Sequence, residues 1–307
     1  MKRTAAIDIT ALPTERRNPA SANLDLKSTL DLVRIINTED AKVAAIVRRA
    51  LPQIARAIDT IATRLRRGGR LIYIGAGTSG RIAALDAAEC PPTFGTDPRM
   101  VQFIIAGGPQ ALGAAVEANE DSRELGRKEI AKRKPTKNDV VVGIAASGRT
   151  PFTVAAVEFA RRRGAATVAI TCNPGSPLAR AAQIAIVTPV GPEVLSGSSR
   201  MKAGTAEKMA LNMLSTGAMT RLGYVYGNLM VNVHPRNTKL VARAIGILEQ
   251  AADVDAKTAA AALKLSGMSV PVALVMLKAG VSAAQARRRL KKHGGNVRKA
   301  IETRPRP

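Results

Sequence analysis

Apolar residues recur at two different spacings along this 307-residue chain, and the change between them divides it. Over 38–67, Val43, Ile46, Val47, Ile54, Ile58, Ile61 and Leu65 fall at helical intervals, with a kink predicted near Pro52 and a stop at Gly68-Gly69. The pattern then shortens. Apolar runs at 71–74, 101–106, 139–144, 166–171 and 184–188 read as buried strands, most of them ending at glycine or polar turn residues. Helical runs are predicted over 81–88, 111–132, 152–163 and 203–222. Strands alternating with helices predict an α/β fold with a doubly wound parallel sheet and right-handed crossovers.

The two ends differ from this middle. Residues 1–37 are polar around Thr14-Glu15-Arg16-Arg17-Asn18 and predict an arm. From about residue 249 the chain is alanine-rich with breaks at Gly267, Gly280 and Gly294-Gly295, which predicts a small three-helix module. The expected organisation is an arm (1–37), a sheet domain (38–248) and a C-terminal helical module (249–307).

Two of the strand ends carry the same local chemistry, Thr78-Ser79-Gly80-Arg81 and Ala146-Ser147-Gly148-Arg149-Thr150. Glycines let backbone amides approach an anion, hydroxyls add donors, and the helix that follows points its positive end at the loop. Gly75, Gly77 and Gly80 also match a dinucleotide fingerprint, and a tight strand-to-helix turn needs the same glycines for structural reasons. Two serine-bearing loops on one sheet favour a monophosphate. No acidic residue follows the second strand, near residue 106, to hold a ribose.

Carboxylates are scarce, with 23 Asp and Glu against 47 Lys and Arg, so those near the loops draw attention. Glu89 precedes the helix-breaking pair Pro91-Pro92, expected to place it at a helix end, and Glu120 falls in the predicted helix 111–132. Each glutamate taken alone reads more readily as a surface residue. His234 is the one neutral-pH proton carrier of the central region. No Gly-x-Ser-x-Gly elbow supports a serine nucleophile.

The net charge of +24 raises polyanions as partners, but the basic residues are scattered over helical positions and aromatic residues make up only 2%. A generally basic surface is therefore expected, without a nucleic-acid or membrane partner. Two cysteines, Cys90 and Cys172, offer no disulfide framework or zinc cluster. No leader-like run opens the chain and no uninterrupted apolar stretch reaches about 18 residues, which predicts a cytoplasmic protein.

Taken together, Thr14 to Asn18, Ile74 to Arg81, Asp86 to Phe94, Gly143 to Thr150 and Thr205 to Met209 resemble the N-acetylmuramic acid 6-phosphate etherases, over about residues 14–300. The resemblance implies a sugar-isomerase (SIS) domain of flavodoxin-like layering, a ubiquitin-associated-like C-terminal module, a homodimer and no metal or organic cofactor. It implies a carbon-oxygen lyase that removes the D-lactyl ether by eliminating lactate and adding water, in cell-wall sugar recycling. Carried onto this chain, the family's acid/base pair falls on Glu89, as donor to the departing lactate, and Glu120, as base. Thr78, Ser79, Ser147, Thr150, Ser198, Ser199 and Lys202 are implied substrate contacts, with His234 and Lys239 closing the site. A non-catalytic phosphosugar sensor and an aldose-ketose isomerase would share the loops.

Overall fold

The computed structural model describes residues 13–303 except 115, 117, 118 and 236. Its residues group into two units, one formed by the chain up to 87 together with 101–214 and the other by 88–100 together with 215 onward.

In the first unit, α1 (Thr29–Arg48) and α2 (Leu51–Arg66) lead into the sheet. The helix begins nine residues before the predicted start, because Ser28 caps it by accepting from the Asp31 amide at 3.2 Å. The apolar spacing hides this start: Leu30 and Val33 are exposed, so the first turns of α1 bury no stripe within the chain. Pro52 opens α2 instead of kinking one long helix, since proline lacks only an amide that the first turn leaves free.

The sheet elements follow as β1 (Leu71–Gly75), α3 (Gly77–Phe94), β2 (Val101–Ile105), α4 (Arg123–Lys132), β3 (Val140–Ile144), α5 (Pro151–Arg162), β4 (Ala166–Thr171), α6 (Pro177–Ala181), β5 (Ile184–Val187) and α7 (Lys202–Leu222). All five strands are parallel, in the order β2-β1-β3-β4-β5, the doubly wound arrangement that the alternation predicts. Strands β1, β3 and β4 are buried throughout, as near-continuous Val, Ile and Ala runs require when helices cover both faces. The Asp139 carboxylate ties β3 to the start of β1, accepting from Arg70 Nη2 at 2.8 Å and from the Arg70 amide at 2.9 Å.

Two helical predictions need correction. The helix α3 runs from the loop itself through Pro91-Pro92 to Phe94, because proline's fixed φ suits a helix and the missing amides cost only two bonds near its end. Glu89 therefore lies inside a helix. Residues 111–132 are not one helix: a 3-10 turn ends at Leu112, and α4 starts only at Arg123, capped by Ser122 Oγ accepting from the Leu125 amide at 3.1 Å. Glu120 lies before α4, outside a helix.

The second unit has its own core. Beyond α7 come α8 (Thr238–Ala252), α9 (Ala256–Leu265), α10 (Val270–Ala279), α11 (Ala283–Lys292) and α12 (Val297–Glu302). Beyond α8 the described chain holds four helices, where three were expected, parted at the three predicted glycine breaks. The break between α8 and α9 is set instead by Asp253 in left-handed backbone (φ 58°) and by Asp255, whose carboxylate caps α9, so no glycine marks it. Val231, Leu248, Leu263, Leu274 and Val297 are buried together among these helices. No single helix among the described residues is long and apolar enough to cross a membrane.

Candidate active site

Strands β1 and β3 are neighbours, yet the chain leaves β1 for β2 on one side and β3 for β4 on the other. Outside the carboxyl ends of two such strands the covering loops diverge, and a crevice for ligand opens. The two serine-bearing loops lie at this point: residues 76–80 follow β1 and residues 145–150 follow β3.

Close packing dictates their glycines. A Cβ on Gly80 would meet Ile105 Cγ1 at 2.6 Å, so α3 can approach β2 only through glycine. Gly148 adopts left-handed backbone (φ 66°), and a Cβ there would meet Ser176 Oγ at 2.2 Å. Both helices that follow, α3 and α5, present first-turn amides without intrahelical partners, the donors an anion seeks. Thr78, Ser147 and Thr150 are half-buried on these loops. Ser147 Oγ accepts from the Arg149 amide at 3.2 Å, which fixes the loop's curvature.

Ser79 is buried, and its hydroxyl oxygen lies 2.9 Å from Glu207 Oε1 on α7, within hydrogen-bond distance. Glu207 is itself buried; burial pushes its carboxyl up to about 8, against the opposing effect of the Ser79 hydrogen bond. The contact is reinforced beside it, where a Cβ on Gly204 of α7 would lie 3.5 Å from Thr78 Cγ2.

The segment that carries Glu120 is pinned to both loops. Arg81, in the first turn of α3, donates from Nη2 to the Ala114 carbonyl at 2.7 Å and from Nε to the Leu112 carbonyl at 3.2 Å. At the other end the Glu120 carbonyl accepts from the Phe152 amide, in the first turn of α5, at 3.0 Å. Glu120 is thereby held next to the Ser147–Thr150 loop, and half-buried.

Lys202 is not a free cation. Its Nζ donates at 2.6 Å to Glu39 Oε2, and both side chains are almost wholly buried. Glu39 also accepts from Asn18 Nδ2 at 2.9 Å and pairs with Lys42; burial would raise its carboxyl, but these three donors outweigh that and hold it at about 2. The ammonium joins α1 to α7. Glu193, which the sequence did not single out, caps α7 by accepting from the Lys202 and Ala203 amides, each at 2.9 Å. Ser198 and Ser199 are half-buried on the turn before α7, where the Ser199 carbonyl accepts from the Gly204 amide at 3.1 Å.

The arm reaches the second loop. Asn173 Nδ2, after β4, contacts Thr14 Oγ1 at 3.3 Å and the Ala146 carbonyl at 3.2 Å, and Ser196 Oγ donates to the Glu15 carbonyl at 3.2 Å. Glu39, Glu193 and Asn173 were not legible as site-building residues, since each acts through partners more than 20 residues distant or through a backbone cap; only the Thr14–Asn18 and Thr205–Met209 motifs hinted at this scaffold.

Comparison with known proteins agrees with this architecture. Residues 53–161 match the glucokinase regulatory protein N-terminal SIS domain, and residues 132–217 match the SIS domain. An N-acetylmuramic acid 6-phosphate etherase of Vibrio vulnificus is 52% identical over 295 residues, 96% of this chain and 98% of that protein. The etherase of Edwardsiella ictaluri is also 52% identical, over 97% of this chain and all of its own length. The chain belongs to the N-acetylmuramic acid 6-phosphate etherase family. Among solved structures, a phosphoheptose isomerase from Francisella tularensis is similar with a TM-score of 0.49 and 20% identity, over 63% of this chain and 100% of that one.

In this etherase-family chain the two glutamates differ in setting. Glu120 lies in the sheet unit on the pinned segment, whereas Glu89 is an exposed residue of α3 in the stretch 88–100, within the helical unit. His234 and Lys239 belong to that same unit and are exposed; a Cβ on Gly95, which closes α3, would lie 3.1 Å from His234 Nε2. Of the residues implied as substrate contacts, the fold gathers Thr78, Ser79, Ser147 and Thr150 at the ends of β1 and β3.

Proposed function

We propose that this chain is an N-acetylmuramic acid 6-phosphate etherase of cell-wall sugar recycling, working in the cytoplasm as a homodimer, with its phosphosugar bound where β1 and β3 end. The near full-length match to etherases supports the reaction. The site reading is supported by one observation: the Glu120 carbonyl accepts from the Phe152 amide, so the main chain at Glu120 runs next to the second serine loop.

The chemistry follows from the substrate. Opening the sugar ring frees a C1 aldehyde, which acidifies the C2 proton. Glu120 takes that proton while the bond from C3 to the lactyl oxygen breaks, and Glu89 protonates the departing lactate. The product is an alkene between C2 and C3, conjugated to the aldehyde. Water then adds in the reverse sense: its oxygen joins C3, Glu89 receives its proton, and Glu120 returns a proton to C2. Both carboxyls end as they began, and the products are N-acetylglucosamine 6-phosphate and D-lactate. The aldehyde supplies the acidity, so the sequence of steps draws on no redox group. Ser79, Thr78, Ser147 and Thr150, with the first-turn amides of α3 and α5, hold the phosphate and sugar hydroxyls. Ser198 and Ser199 flank them.

The test is lactate release from N-acetylmuramic acid 6-phosphate in deuterated water by the parent, Glu89→Ala and Glu120→Ala. Release by the parent, lost in both variants, with C2 exchange retained in Glu89→Ala alone, is the expected result. Tight binding by the parent without lactate would instead identify a phosphosugar sensor, and sugar interconversion without lactate an isomerase.

A further inference from the structure

The Thr205–Met209 motif takes no part in the steps above, yet it places a carboxyl behind the first loop. We propose that Glu207 is a positioning residue which, as the neutral acid, donates to Ser79 Oγ and so turns the single serine proton outward to the substrate phosphate. The inference rests on the reading of the first loop as a phosphate site.

A serine hydroxyl has one proton and can accept two hydrogen bonds. Ser79 Oγ lies 2.9 Å from Glu207 Oε1. When Glu207 is a carboxylate it can only accept, so the serine proton is spent on it and the oxygen's lone pairs face the crevice. A phosphate dianion meeting those lone pairs is repelled. When Glu207 carries its proton, the direction of the whole chain reverses: acid to serine, serine to phosphate. The serine proton then ends on the phosphate dianion, a charge-assisted hydrogen bond that low local polarity strengthens.

The surroundings favour the neutral form. Glu207 is 1% exposed, and its helical neighbours Ala203, Ala210 and Leu211 are all buried and apolar. Among the ionisable groups nearby, the Cys172 thiol is pushed up to about 12, chiefly by burial, so it stays neutral. Glu193 is occupied by the α7 amides, and Lys202 is paired with Glu39, so neither Lys202 nor a second carboxylate is free to bond Glu207. The carboxyl at about 8 is thus protonated at neutral pH and ionises just above it. Substrate phosphate, with its second ionisation near about 6, is already a dianion across that range.

The experiment is a pH series from 7 to 9.5 on the full chain. It follows KM for N-acetylmuramic acid 6-phosphate and, by calorimetry, Kd for N-acetylglucosamine 6-phosphate. For the parent, both constants are expected to rise about tenfold per pH unit once the carboxyl ionises. In Glu207→Gln, whose amide donates to Ser79 at every pH, the rise disappears. In Ser79→Ala both constants are raised at pH 7 and are flat with pH. Constants that stay flat in the parent, or that rise equally in Glu207→Gln, overturn the relay while leaving an etherase that turns over. A parent that binds the product with the expected pH dependence but releases no lactate keeps the relay and overturns the etherase reading; a parent that binds neither sugar overturns both.

Discussion

Gly126 of α4 lies so close to Phe152 of α5 that a Cβ would stand 2.1 Å from the Phe152 carbonyl oxygen. The same Phe152 supplies the amide that holds the Glu120 carbonyl, and the Gly126 amide bonds to the Ser122 carbonyl at 3.2 Å. Packing of α4 on α5 and placement of the catalytic segment are therefore one contact. Gly126→Ala is expected to cost about 1–3 kcal/mol in stability, as overpacking does. Its kcat should fall more than its KM rises, because Glu120 shifts while the serine loops stay. Thermal melting with steady-state kinetics checks this; a stable variant with unchanged kcat would contradict it.

The buried pair of Glu39 and Lys202 makes a second prediction. Glu39→Ala strands an ammonium that is 2% exposed, at a cost of about 3–5 kcal/mol. Replacing both with apolar residues, as Glu39→Leu with Lys202→Met, is expected to recover most of that loss. Denaturant unfolding of the three variants decides it.

Acid should act through the same carboxylate. Its folded value of about 2 lies below the unfolded one of 4.5, so its contribution is present above pH 4.5 and is lost as pH falls toward 2. Between those limits the parent is expected to lose stability faster than Glu39→Gln, measured by urea midpoints at pH 5, 4 and 3.

Glu207 shifts the other way. With a folded value of about 8 against 4.5 unfolded, its neutral form favours folding fully below pH 4.5, and that advantage is lost as pH rises to about 8. Glu207→Gln is therefore expected to be more stable than the parent at pH 8, by about 4 kcal/mol, and to approach it at pH 4. A gap of the same size at both pH values would show that ionisation is not its source.

How far the sequence reaches is visible in particular elements. All five strands lie within a residue or two of their apolar runs, because a strand buried on both faces has no freedom to vary its pattern. The serine loops were legible for the same reason: only glycine fits where α3 meets Ile105. What stayed hidden was set by local competition or by distance. Residues 113–122 have helix-forming composition, yet Arg81 takes the carbonyls of Leu112 and Ala114 across 31 and 33 residues of chain. The pairing of Lys202 with Glu39 was hidden because the two lie 163 residues apart. Glu207 was visible as part of a motif, but its role depends on a serine 128 residues earlier.

The path of the chain between the two units constrains how such a protein can be cut. Residues 88–100 group with the C-terminal helices although they sit inside the sheet half of the sequence, and α3 and α7 each run unbroken from one unit into the other. A Cβ on Gly95 would come within 2.2 Å of the Asn232 carbonyl oxygen, so the short stretch is fitted to segments more than 130 residues downstream. No single scission releases either half intact. Removing the C-terminal helices would strip Glu89 of the residues it folds with, so a truncated gene product would forfeit the proposed acid and not merely an appendage, and fragment complementation would have to restore both.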